Sequence, residues 1–396
     1  MKSTILQHFP YPEIRDAQKQ TLLEVEKNWS SADVFVIRAP VGTGKSAIAA
    51  TIQSWQDCGA ILCPSNIHVQ QYLDDFDMKT VWAQRDYHLK VEYNAGPRGG
   101  TKYTPVDTAG EDTVTEEWYR KNVYQHGLKS SDYSEDLKFC RRVGSAMVCN
   151  YMTYIAHKFQ RKVLIVDEAH QLLNAQRSQA AKFLWQHQFH YPSSVDSLRD
   201  LWSWIDNSPI QEANTLRNIL KNMKPSTTVE FRTERYRGNE SECIALSPLD
   251  CSEEAPIYWP PKVKKIILMS ATINDIDIQA MGLSNRRSVT IDVDSPIPEE
   301  NRPVVFAKGE SLSYSNLEDN LPLAAEFVEG LLDTHSSKGF VHCTYGMAKL
   351  LEPLLKSSPR FMFHDQGNKR DVYKEFYESP PESGKVMVGS GLREGI

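Results

Sequence analysis

The stretch APVGTGKS, Ala39 to Ser46, sets two glycines, a lysine and a serine at a spacing that suits a triphosphate. Gly42 and Gly44 let backbone N–H groups wrap phosphate oxygens. Lys45 brings a cation to the β- and γ-phosphates, and Ser46 offers its hydroxyl to Mg²⁺. Pro40, Val41 and Thr43 complete the turn and are expected to line the nucleotide. The apolar run VFVIRAP before it reads as a buried strand, and AIAATIQSWQ after it as a helix whose positive end faces the phosphates. A chance Gly-rich turn would lack that strand–turn–helix context. Ala39 stands where the motif usually begins with glycine.

A second constellation is VLIVDEAH, Val163 to His170. A buried strand that ends in adjacent acids is costly unless those acids meet a cation. Asp167 is expected to hold Mg²⁺, directly or through water, and Glu168 to polarise the attacking water as general base. His170 suits a hydrogen bond toward another loop of the sheet. Taken alone the four residues could be a solvated helix start. Ser270 and Thr272, in the SAT that ends KKIILMSAT, are short hydroxyl side chains able to bond the acid loop and relay the nucleotide state.

These motifs need a sheet to present them. AILCP (60–64) is a further buried strand followed by a helix over HVQQYLDDF, so strands alternate with helices, and βαβ units with a parallel sheet follow. Residues 13–29 have helical spacing, with Ile14, Leu22, Leu23 and Val25 on one side. A polar insertion, partly irregular, covers about 95–140. Residues 175–262 carry helical SLRDLWSWID and EANTLRNILKNM, then strand-like VEFRTERY and ECIALSPL, enough for a small inserted domain. Trp185, Trp202 and Trp204 there could stack bases, but their spacing suits a core. Past Pro-rich SPIPEENRPVV, strands GFVHC and KVMVGS and helices over GMAKLLEPLLK and KRDVYKEFYE form a second α/β unit.

The chain has 396 residues, which suits two or three compact units, and its 40% hydrophobic content is enough to bury their cores. A net charge of −6 excludes a globally basic surface but leaves room for a local basic groove. The seven cysteines form no CxxC pair and read as reduced thiols, which suits a cytoplasmic protein (nucleoid or host cytoplasm). No apolar run approaches membrane-spanning length, so no membrane partner is expected.

In this order the motifs resemble superfamily 2 DEAH-type helicases. The flanking segments resemble the XPD/DinG-like branch: FPYPEIRDAQ, CPSNIHVQQYLDDF as motif Ia, VCNYMTYI, IALSPLDCS, GFVHCTYGMAKLL as motif IV and VMVGSGLREGI as motif V. The resemblance implies two RecA-like P-loop domains with an arch-like insertion in the first. Boundaries are expected at 1–174 and 263–295 for the first domain, 175–262 for the arch, and 296–396 for a second domain cut short in motif V. It places Arg15 and Gln18 near the adenine, and Ser65, Asn66, Thr344, Tyr345, Ser390 and Gly391 on the nucleic-acid backbone.

ATP and Mg²⁺ are the implied ligands and single-stranded DNA the implied partner, with movement 5′ to 3′ driven by hydrolysis. An RNA-directed DEAH-type ATPase and a nucleotide-switch module with little turnover are the alternatives. Members of the branch often bind an iron–sulfur cluster through four cysteines, yet residues 64–139 contain none and Ala95 stands where a ligand would fall. No cluster is expected, and Cys140 and Cys149 read as core thiols.

Overall fold

The computed structural model describes residues 4–82, 92–95, 101–104, 131–142, 145–236, 239–298, 309, 311–355, 358–364 and 368–389. The chain divides into two compact units, Met1–Pro296 and Ile297–Ile396. In chain order the strands of the first are β1 (Val34–Arg38), β2 (Gly59–Cys63), β3 (Glu92–Ala95), β4 (Thr101–Thr104), β5 (Ala146–Asn150), β6 (Val163–Val166), β7 (Lys182–Trp185), β8 (Thr227–Tyr236), β9 (Asn239–Pro248), β10 (Lys265–Ser270) and β11 (Ser288–Asp292). Three helices matter most for the site: α1 (Asp16–Asn28), α2 (Lys45–Gln56) and α3 (Asn66–Asp75).

The central sheet has six strands in the order β11-β1-β10-β6-β2-β5, every adjacent pair parallel. Successive side chains on a strand face opposite ways, and both faces of this sheet are covered. Val36, Leu62, Leu164, Val166 and Leu268 enter one core, whereas Phe35, Ile37, Ile61, Ile165, Ile267 and Met269 enter the other. Double burial explains why these strands read as unbroken apolar runs. α1 buries Leu22 and Val25, but Leu23 is 40% exposed and leaves the expected apolar side. It directly follows Leu22, and the roughly 100° of rotation per residue carries it off the buried stripe.

β5 and β11, absent from the strands expected from sequence, are the two edges of this sheet. β11 shows why: only Ile291 of its five residues is buried, so no apolar run marks it. Within the polar insertion, β3 pairs with β4 antiparallel, and the helix Ser131–Cys140 sends Tyr133, Leu137 and Cys140 into the first core.

The excursion between β6 and β10 forms an antiparallel sheet, β7-β9-β8, backed by helices Leu198–Asn207 and Gln211–Lys221. Leu184, Leu201, Ile205, Leu216 and Ile244 build its own core, with Trp202 and Trp204 packed against it. Its stems belong elsewhere: Leu172, Leu173, Cys251, Ala255, Tyr258 and Trp259 pack into the main core, so the inserted layer is narrower than 175–262. The Arg177 guanidinium donates twice to the Leu249 carbonyl, at 3.1 and 2.8 Å, and clips the two stems together.

In the second unit β12 (Gly339–His342), β13 (Phe361–Phe363) and β14 (Val386–Gly389) form a parallel sheet in the order β12-β14-β13. Helices Leu317–Thr334 and Tyr345–Leu355 bury Ala325, Leu351 and Leu355 beside it. β13 was not expected from sequence; at three half-buried residues it carries no periodic signal.

Candidate nucleotide site

Because the sheet is parallel, β1, β2, β6 and β10 deliver their C-terminal residues to one edge, and the chemistry-bearing motifs meet there. The loop from β1 into α2 turns on Gly42 (φ +85°) and Gly44 (φ +79°), left-handed conformations that favour glycine. A Cβ on Gly44 would stand 2.2 Å from Gln18 Nε2. Thr43 is buried and its hydroxyl donates to the Pro40 carbonyl at 2.8 Å, while Val41 is exposed. Arg15 donates to the Gly42 carbonyl at 2.7 Å, and Gln18 Oε1 accepts the Arg15 N–H at 3.1 Å. Arg15 and Gln18 therefore brace the loop from α1.

Lys45 Nζ lies 3.1 Å from Glu168 Oε1 and 3.5 Å from the Ala39 carbonyl. This ion pair joins the tips of β1 and β6. Both partners are largely shielded, which makes the attraction stronger than at an open surface. Glu168 adopts a left-handed backbone (φ +47°), which turns its carboxylate back toward the lysine. His170 Nδ1 is 2.9 Å from Ser270 Oγ and 3.4 Å from Glu168 Oε2. Ser270 is fully buried and its oxygen also accepts the Thr272 N–H at 3.1 Å. Thus β10 touches the acid loop through one imidazole.

Asp167 is 5% exposed. Burial, then the charge of Glu168, push its carboxyl above the usual range, and the Tyr72 hydroxyl, Lys45 and His68 oppose that rise. Tyr72 donates to Asp167 Oδ2 at 2.9 Å, and the Glu168 N–H donates to Oδ1 at 3.0 Å. The Ser46 hydroxyl reaches the same phenolic oxygen, whose own pKa burial drives well upward, so it stays a donor. Ser46 and Asp167 therefore flank one point with hard oxygen donors. That donor set fits Mg²⁺, which takes one or two protein oxygens and completes its shell with phosphates and water.

Two tyrosines at this edge were given no role from sequence. Tyr72 is one. Tyr151 is the other: its hydroxyl donates to the backbone carbonyls of Asp167 and, at 3.1 Å, Glu168. Each sits on a helix that starts at this edge. Asn66 opens α3 and Asn150 caps the helix Tyr151–His157 by accepting the Thr153 N–H at 2.7 Å. The two asparagines meet at 2.5 Å, Asn150 Nδ2 donating to Asn66 Oδ1. Ser65 Oγ lies 2.8 Å from His68 Nδ1.

In the second unit Thr344 Oγ1 accepts the Met347 N–H at 3.2 Å, and Tyr345 stands edge-on to His364 at 5.7 Å. Ser390 and Gly391 lie outside the described residues. Cys140 and Cys149 are buried, and burial pushes the Cys140 thiol up to about 12, a protonated and unreactive state.

No known family profile matches the sequence, and no curated protein matches it. Solved structures do. A structure described as an XPD helicase aligns over 96% of this chain and 80% of its own, at 12% identity with a TM-score of 0.51. Xpd4 of S. tokodaii aligns over 95% of this chain and 80% of its own, at 12% identity with a TM-score of 0.48. The likeness is one of fold: this chain shares the α/β architecture of that XPD helicase structure. Its α/β units are RecA-like, and the six-stranded parallel sheet is the part that carries the phosphate loop and the acids. Among the described residues no helix is long and apolar enough to cross a membrane.

Proposed function

We propose that this chain is a nucleic-acid-dependent ATPase that moves along single-stranded DNA, 5′ to 3′, in the manner of a helicase. The observation that carries the reading is the 3.1 Å approach of Lys45 to Glu168, which brings the phosphate loop and the acid pair together on one sheet edge. Lys45 and the N–H groups around Gly42 and Gly44 bind and orient the β- and γ-phosphates. Mg²⁺, held by Ser46 and Asp167, would offset the charge that collects on the leaving β-phosphate oxygen as its bond to the γ-phosphorus breaks and the water oxygen bonds to that phosphorus. Glu168 orients a water and takes its proton, while His170, bonded to Ser270, holds the Glu168 carboxylate in place. Ser65, Asn66, Thr344 and Tyr345, at strand ends, serve as backbone contacts for the strand.

The DNA assignment and the direction rest on the motif resemblance. ATPase activity measured with and without single-stranded DNA or RNA tests the reading. DNA should stimulate hydrolysis more than RNA, Lys45→Ala should abolish nucleotide binding or turnover, and Glu168→Gln should bind nucleotide without hydrolysing it. Stimulation by RNA alone would move the assignment to RNA. Hydrolysis unaffected by either polymer would reject the motor reading.

A further inference from the structure

The opposite edge of the same sheet carries a charge pattern that the nucleotide chemistry does not use. The parallel order brings the residue before each strand to this edge. Lys158 and Lys162 precede β6, and Lys262 and Lys264 precede the neighbouring β10. The two loops are tied: the Lys264 N–H donates to the Lys162 carbonyl at 2.8 Å, and the Lys262 ammonium to Gln160 Oε1 at 2.5 Å. All four lysines are exposed, and among the described residues none of them forms an ion pair. Toward one end of the edge Arg286 and Arg287 precede β11, and at the other Arg141 and Arg142 precede β5.

Among the described residues of the loops that precede these strands, two acids interrupt the edge, Asp33 before β1 and Asp57 before β2. Asp33 is engaged by Arg287 at 2.9 Å and Lys265 at 3.8 Å. By contrast the nucleotide edge carries Asp167, Glu168, Asp275 and Asp292. On a chain of net charge −6, four ammonium groups gathered on two tied loops repel one another unless a polyanion meets them.

We propose that this basic edge is a second nucleic-acid surface, which binds the phosphate backbone of a duplex without reading its sequence. The aromatic rings of the two lysine loops, Phe159 and Trp259, are 3% and 5% exposed and sit in the core with Val263. That leaves these loops no exposed ring on which an unpaired base could stack. With strands about 4.8 Å apart, the six-strand edge is roughly 24 Å long. A duplex rises about 3.4 Å per base pair, so the edge can follow roughly seven base pairs of backbone. The surface is independent of the triphosphate site and goes beyond the proposed ATPase activity.

Fluorescence anisotropy with a labelled duplex of about 20 base pairs, titrated between about 50 and 200 mM salt, tests this. The variant Lys158→Glu/Lys162→Glu/Lys262→Glu/Lys264→Glu should weaken duplex binding at least about tenfold and flatten the log–log salt slope by about 3 to 4. The milder Lys162→Gln/Lys264→Gln should flatten it by about 2, which guards against a folding defect in the fourfold variant. Basal ATPase should be unchanged in both, because the substituted residues lie on the far edge from Lys45 and Glu168. Duplex binding should persist in Lys45→Ala, so failure of the ATPase reading would leave this one standing. Parental affinity and slope in both variants would overturn the proposal. So would displacement of the duplex from parent and fourfold variant alike by polyglutamate, since that would place duplex binding elsewhere.

Discussion

Replacing Tyr72 by phenylalanine removes one oxygen beside the proposed metal site and leaves the rest of a 2%-exposed ring in place. The bond lost runs from a neutral hydroxyl to the Asp167 carboxylate at 2.9 Å. Hydrogen bonds to charged groups contribute about 1.5–3 kcal/mol, and a buried acceptor left without its donor adds to the loss. Without metal or nucleotide, the first unit should therefore lose about 1.5–3 kcal/mol, a fall of roughly 3–6 °C in its unfolding midpoint. Mg²⁺ with a non-hydrolysable nucleotide should close at least half of that gap, because a cation beside Asp167 takes over the compensation of its charge. Calorimetry of parent and variant, with and without the magnesium complex, reads both numbers. Tyr154→Phe is the control: among the described residues its buried hydroxyl has no hydrogen-bond partner, so its loss should not lower the midpoint and should leave the metal response as it is. A Tyr72→Phe midpoint equal to the parent's, or a deficit the magnesium complex does not reduce, would refute the assigned role.

Gly44→Ala should lower nucleotide affinity at least about tenfold, because a left-handed alanine costs roughly 1–2 kcal/mol and its Cβ displaces Gln18; isothermal titration measures it. Arg161→Met should destabilise by about 1–3 kcal/mol and speed labelling of Cys140 by a thiol reagent. The buried guanidinium bonds the Cys140 carbonyl and, at 3.2 Å, the Ser145 hydroxyl, and so fixes the end of that helix. Asp33→Asn should cost about 0.2–1 kcal/mol at neutral pH, the range of exposed ion pairs. The hydrogen bond from Arg287 holds the Asp33 carboxyl below its ordinary value, so its contribution is present above that value and is lost as pH falls through the depressed one. Denaturant unfolding across acid pH should show the two chains converging.

Strands buried on both faces were legible because their central side chains are apolar, and the glycines and acids at their ends mark where the burial stops. β11 escaped notice as an edge of the sheet, where only Ile291 is buried and the apolar signal thins; β5, the other edge, buries Met147, Val148 and Cys149 and offers only that short apolar run. The Lys45–Glu168 and His170–Ser270 contacts join residues a hundred or more positions apart, yet their motifs were readable, since each ends a strand of one parallel sheet. Tyr72 and Tyr151 could not be assigned that way. A tyrosine in a helical stripe looks the same whether its hydroxyl meets solvent or a carboxylate, and only the fold brings it to Asp167. The basic edge was hidden for a related reason: its cations are scattered as pairs along the chain and add up only when the strands are laid side by side.

The Arg177–Leu249 clip has a consequence for how such chains diversify. Roughly seventy residues leave the sheet and come back through a doorway one guanidinium wide, between strands that are already neighbours. Whatever grows, shrinks or is swapped beyond that doorway leaves the β6 and β10 ends aligned. Sequence change in the inserted layer can therefore proceed while the six-stranded sheet stays as it is.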